Sequence, residues 1–113
     1  MEAQPREIKR YSTVDGIPFA EWLDSLRDNR AISKINTRIK RVALGNLGDY
    51  RSVGEGVCEL RIDYGAGYRI YFGQIGTTIV ILLCGGDKST QAEDITKAKE
   101  YWKDYEKREN SYK

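Results

Sequence analysis

The sequence predicts an α+β fold: an N-terminal strand, a helical hairpin, a three-stranded antiparallel sheet and a C-terminal helix. Two observations carry this. Ten of the eleven glycines fall between Gly45 and Gly86, so the middle of the chain suits short strands and tight turns. The glycine-poor flanks instead space their apolar residues at the helical period. At 113 residues, with no internal repeat or low-complexity segment, residues 1–113 are expected to form one domain around one core.

Residues 6–13, with Ile8 and Tyr11, read as an edge strand. Asp15-Gly16-Ile17-Pro18 then opens a helix, because the fixed φ of proline suits the first helical turn. Phe19, Trp22, Leu23 and Leu26 form its apolar face, and Asp28-Asn29 interrupts it. A second helix is expected over 31–44, with Ile32, Ile35, Ile39 and Val42 as its stripe. Gly45 stands where a left-handed cap would close it.

Three strands follow, over 57–63, 68–72 and 77–84. In the first, Cys58, Leu60 and Ile62 alternate with Glu59, Arg61 and Asp63. In the second, Tyr68, Ile70 and Phe72 alternate with Arg69 and Tyr71. Tyr64-Gly65-Ala66-Gly67 joins them as a hairpin turn. The third is apolar on both faces, should be the best buried, and is expected to end at Gly85-Gly86. A last helix begins near Thr90, where Thr90 and Glu93 fit a capping box; Ile95, Ala98, Trp102 and Tyr105 share one face.

Composition excludes much chemistry. The chain has no histidine, so no Ser-His-Asp triad, no Cys-His dyad and no histidine acid–base pair is possible. Cys58 and Cys84 form no CxxC motif and read as buried free thiols of a reducing compartment; no metal site and no cofactor are expected. The first fifteen residues are studded with charge and the longest apolar run is six residues, so neither a signal peptide nor a membrane span is expected, and the location is read as cytoplasmic. Charge is uneven: between Asp28 and Asp49 there is no acidic residue, while Lys34, Arg38 and Arg41 recur on one outward helix face. Such a surface suits a polyanionic partner, though solvated basic helix faces are common.

The hairpin carries the candidate chemistry. Cross-strand partners point to the same side, so the register should pair odd with odd residues. Arg61 then lies beside Arg69 or Tyr71 on an exposed face, with Glu59 next to them. Forked guanidinium donors match phosphate oxygens. The ordinary alternative is the polar outer face of an antiparallel sheet.

Glu59-Leu60-Arg61 followed by Gly65-Ala66-Gly67-Tyr68-Arg69-Ile70-Tyr71-Phe72 forms one recognisable block. The second is Leu82-Leu83-Cys84-Gly85-Gly86-Asp87-Lys88-Ser89-Thr90-Gln91, continued by Asp94-Ile95 and by Ala98 to Trp102. Together they resemble the addiction-module killer proteins, the HigB-like branch of the RelE/ParE toxin superfamily. The resemblance extends over nearly the whole chain and implies a RelE-like fold. It also implies a toxin of a type II toxin–antitoxin module, neutralised by a cognate antitoxin, often of helix-turn-helix type. HigB-like and RelE-like members cleave messenger RNA on the ribosome. ParE-like members inhibit DNA gyrase without cutting RNA, and a relative without chemistry would keep antitoxin binding alone.

By this resemblance Arg61 and Arg69 match the arginines of the family's central strands, and Lys88 the basic residue after the last strand. The implied reaction is metal-independent attack of a ribose 2′-hydroxyl on the adjacent phosphate. Arg61 and Arg69 would stabilise the phosphorane, Lys88 would serve as a third cation or as the acid, and Glu59 or Tyr71 as the base. Lys34, Arg38 and Arg41 would dock on ribosomal RNA.

Overall fold

The computed structural model describes residues 4–110; the outermost three positions at each end of the expected 1–113 domain lie outside the described residues. The elements run β1 (Glu7–Arg10), α1 (Pro18–Ser25), α2 (Asn29–Ala43), β2 (Tyr50–Gly54), β3 (Val57–Ile62), β4 (Tyr68–Ile75) and β5 (Ile79–Asp87), then a single 3-10 turn (Lys88–Thr90) and α3 (Gln91–Asn110). Among the described residues the sheet has five strands in the order β1-β5-β4-β3-β2. β1 runs parallel to β5 and every other pair is antiparallel, so the sheet is mixed. The fold class is α+β as the sequence predicts, but the three-stranded antiparallel sheet is corrected to five mixed strands.

Local signals account for the helices. Pro18 occupies the first turn of α1. The Asp28 carboxylate accepts the backbone N–H groups of Arg30 and Ala31 and so caps α2. At the other end Gly45 takes φ 98°, its N–H reaches the Val42 carbonyl, and the Asn46 N–H reaches that of Arg41. That pair of bonds is a Schellman closure, which needs the left-handed residue that glycine supplies.

Two sequence expectations fail at the third strand and the last helix. β5 does not end at Gly85-Gly86 but continues to Asp87. Neither glycine adopts a positive φ; each is there for lack of a Cβ. A Cβ on Gly85 would overlap the Trp22 ring of α1, and one on Gly86 would overlap the Asp94 carboxylate of α3. The chain after β5 is capped not by a Thr90–Glu93 box but by Asp87, whose carboxylate accepts the Ser89 N–H, while the Thr90 hydroxyl donates to Asp94.

The missed strand, β2, carries Tyr50, Arg51 and Ser52 exposed and lacks any alternation, as befits a charged edge strand. It joins β3 through Glu55 and Gly56, both at positive φ, the geometry of a tight hairpin turn.

The sheet is covered on both faces. α1 and α2 close one side over Phe19, Ile35, Val42, Leu60, Ile70, Phe72 and Leu82. α3 closes the other over Val57, Tyr71, Ile81, Leu83, Cys84, Ala98 and Trp102. A register shift at Tyr71/Phe72 lets both Leu83 and Cys84 reach the α3 side. Cys58 packs against the helical-hairpin core and Cys84 under α3, so the sheet separates the two free thiols. Among the described residues no helix is long and apolar enough to cross a membrane.

Gly85→Ala is expected to destabilise the fold by about 1–3 kcal/mol, the usual range for overpacking a tight core. Urea unfolding checks this, and an unchanged midpoint would contradict the Trp22 contact.

Candidate functional site

The alternation of β3 and β4 places Glu59 opposite Tyr71 and Arg61 opposite Arg69, odd with odd as predicted. The expectation that this face is exposed is overturned. α3 lies across it, leaving Glu59 and Tyr71 at 0% exposure and Arg69 at 8%. Arg61 and Asp63, near the open end of the sheet, remain exposed.

Glu59 is the centre of a buried polar network. One carboxylate oxygen accepts from Arg51 Nε of β2 at 3.1 Å and from Arg69 of β4 at 3.4 Å. The other accepts from the side-chain amide of Gln91, the first residue of α3, at 2.9 Å. Burial alone would push this carboxyl up; the bonds from Gln91 and Arg51 and the charge of Arg69 outweigh it and hold it below its ordinary value. A carboxylate so engaged is a poor proton acceptor. The Tyr71 hydroxyl is also buried and has no hydrogen-bond partner of ordinary geometry among the described residues. Burial, reinforced by the neighbouring Glu59 charge, drives its pKa far above the ordinary phenol value. Neither residue is placed to act as the base that the sequence suggests.

Arg69 spans the network and a cleft. Its guanidinium holds Glu59 through one nitrogen, while its buried Nε has no partner among the described residues. The cleft, about 280 Å³, is lined by Asp49, Arg61, Ile62, Asp63, Gly67, Arg69 and Lys88. Arg61, Arg69 and Lys88 are therefore brought together, from β3, β4 and the turn after β5. Like charges directly opposite in a ladder are unfavourable. Here Arg69 is offset by Glu59, and Arg61 by Asp49 at 3.6 Å. Gly67 makes the convergence possible: a Cβ there would come within 2.8 Å of the Lys88 stem. Lys88, Asp63 and Arg61 are exposed.

A second hollow of about 330 Å³ adjoins the first and shares Ile62 and Asp63 with it. It is lined also by Ser33, Lys34, Thr37, Arg38, Arg41 and Tyr64, so the three basic residues of α2 do share one place. They are not equivalent. The Arg38 guanidinium donates to the carbonyls of Leu47, Asp49 and Arg61, at 2.6 to 3.2 Å. It clamps the loop after α2 onto β3, so its donors are engaged by the protein's own carbonyls while its side chain still lines the hollow. Lys34 and Arg41 are exposed, and Lys34 Nζ lies 5.2 Å from the Tyr64 ring centroid.

The residues that sequence reasoning misses are Arg51, Gln91, Asp49 and Asp63. Arg51 belongs to the unpredicted strand, and Gln91 is fixed only by the packing of α3. The Gly54-Glu55-Gly56 turn is the available signal for β2. Neither thiol is poised to react: burial pushes Cys84 up to about 12 and also raises Cys58. Among the described residues no group of three or more Cys, Asp or Glu is placed to hold a metal ion.

No family model matches the chain, and no solved structure matches it significantly. An uncharacterized protein of Haemophilus influenzae strain Rd is 55% identical over 83 residues, which is 74% of this chain and 84% of that protein. The chain belongs to the same family as that protein.

Glu59→Leu is expected to destabilise the fold by about 3–5 kcal/mol, because it leaves the buried Arg69 charge without its carboxylate. The depressed Glu59 carboxyl also sets a pH dependence. Below about 4.5 the unfolded chain takes up the proton first, so stability is complete above that value and falls as pH drops through the folded one. Urea midpoints measured from pH 7 to 3 should decline in the parent chain and decline less in Glu59→Gln.

Proposed function

From the two sequence blocks and the cleft geometry, we propose that the chain is a type II toxin of the RelE/ParE superfamily, HigB-like branch, with a RelE-like fold. In this reading it is a cytoplasmic, metal-independent endoribonuclease that cuts messenger RNA on the ribosome and is held inactive by a cognate antitoxin, of helix-turn-helix type. The observation that carries the reading is the convergence of Arg61, Arg69 and Lys88 on one cleft, with a buried arginine nitrogen left unpaired at its wall.

The chemistry then divides as follows. A ribose 2′-hydroxyl attacks the adjacent phosphorus, and the bond to the 5′ oxygen breaks, leaving a 2′,3′-cyclic phosphate and a 5′-hydroxyl. Arg69 and Arg61 oppose the charge of the phosphorane; preorganised donors of this kind are worth about 10²–10³-fold each. Lys88 protonates the departing oxygen. Asp49 is committed to Arg61, so Asp63 is the cleft carboxylate left to accept the 2′-hydroxyl proton. Glu59 and Tyr71 sit behind the cleft; Glu59 aims Arg69.

The burial of Glu59 and Tyr71 favours one rival, a ParE-like gyrase inhibitor that needs cations but no base. The two separate on induced expression of the chain alone, with primer extension on a translated message and a plasmid supercoiling assay. New translation-dependent ends support the nuclease; relaxed plasmid with intact message supports the inhibitor. Lys88→Ala and Asp63→Asn change exposed residues and should fold normally while lowering cleavage by about 10²-fold or more. Cleavage at the parent rate in both would remove their assigned roles.

A further inference from the structure

We propose that the hollow beside the cleft is a second nucleotide subsite, so that a single RNA strand runs from Arg69 across Ile62 and Asp63 onto Tyr64, Lys34 and Arg41. The inference rests on the nuclease reading and extends it from one phosphate to a bound strand.

Three features support it. The two hollows share Ile62 and Asp63 in their lining, so they adjoin along the surface. Each is large enough for about one nucleotide, at about 330 and 280 Å³. The second contains the two elements that sequence-tolerant single-strand binding requires, cations for the backbone and an aromatic face for a base. In the free protein that face is occupied by Lys34, whose ammonium lies 5.2 Å from the Tyr64 centroid. When a strand enters, the ammonium exchanges the ring for a phosphate and the base takes the ring. Arg41, which has no hydrogen bond or ion pair from its guanidinium among the described residues, holds the same backbone. Arg38 also lines the second hollow, but its four bonds to the Leu47, Asp49 and Arg61 carbonyls commit its donors to the protein, so it shapes the hollow rather than holding the backbone.

The subsite would strengthen binding with length and be tolerant of sequence. The probes are fluorescent 2′-O-methyl oligouridylates of two and five nucleotides, which cannot be cleaved, titrated by anisotropy against the full chain. The five-mer should bind roughly ten- to a hundredfold tighter than the two-mer. Lys34→Gln with Arg41→Gln should abolish that gain, whereas Arg69→Ala should weaken both probes. The slope of log affinity against log salt should become shallower by about 0.7 for each phosphate that is no longer neutralised. Tyr64→Leu, which keeps apolar packing against the core, should lose most of the gain, and Tyr64→Phe should retain it. A length gain that survives in the double variant overturns the subsite while leaving the Arg69 cleft intact. Two-mer binding that is insensitive to Arg69→Ala, or absent, overturns the cleft reading and the subsite with it.

Discussion

The buried Glu59 carboxylate is the interaction on which the rest of the site depends. It receives donors from β2, β4 and the first residue of α3, so one side chain ties an edge strand, a central strand and a helix to β3. A carboxylate can be taken out of water only when its lone pairs are met by donors. Arg51, Arg69 and Gln91 meet them. In return Arg69, itself nearly buried, gains a counter-charge and a fixed orientation toward the cleft. Positioning and stability are therefore not separable here.

The network exists because the sheet is covered twice. α1 and α2 lie on one face, and the long α3 closes back across the other. Glu59, Arg69 and Tyr71 belong to the α3 side, and only the open end of the hairpin escapes that helix. This geometry divides one polar stripe into an interior part, which holds the structure, and an outer part, Arg61 with Asp63, which meets solvent.

Much of this is legible in the sequence. Period-two alternation puts Arg61 on one face with Arg69 and Tyr71, leaving the register to choose between them, and the helical stripes and Pro18, Asp28 and Gly45 mark both early helices. What is not legible depends on tertiary packing. Alternation states which residues share a face but not whether that face meets water, so it leaves Glu59 and Tyr71 on the solvent side. Gly85-Gly86 resembles a strand terminator, yet it makes room for Trp22 and Asp94 from helices distant in sequence. β2 has no apolar periodicity to announce it because an edge strand buries little. Arg38 has the spacing of a surface cation, and only the folded loop after α2 shows its donors engaged.

The placement of the two cysteines has a consequence for following the molecule in motion. Cys58 lies on the side of the helical hairpin, and Cys84 lies under α3, its sulfur 3.8 Å from the Asp94 carbonyl. Cys84 is thus buried by one layer and Cys58 half-buried by another, and no bridge can join them through the sheet. Alkylation of Cys84 reports the detachment of α3, and a rise in the alkylation rate of the half-buried Cys58 reports loosening on the opposite side. The native chain carries its own pair of chemical reporters, one for each layer, with no engineered label required.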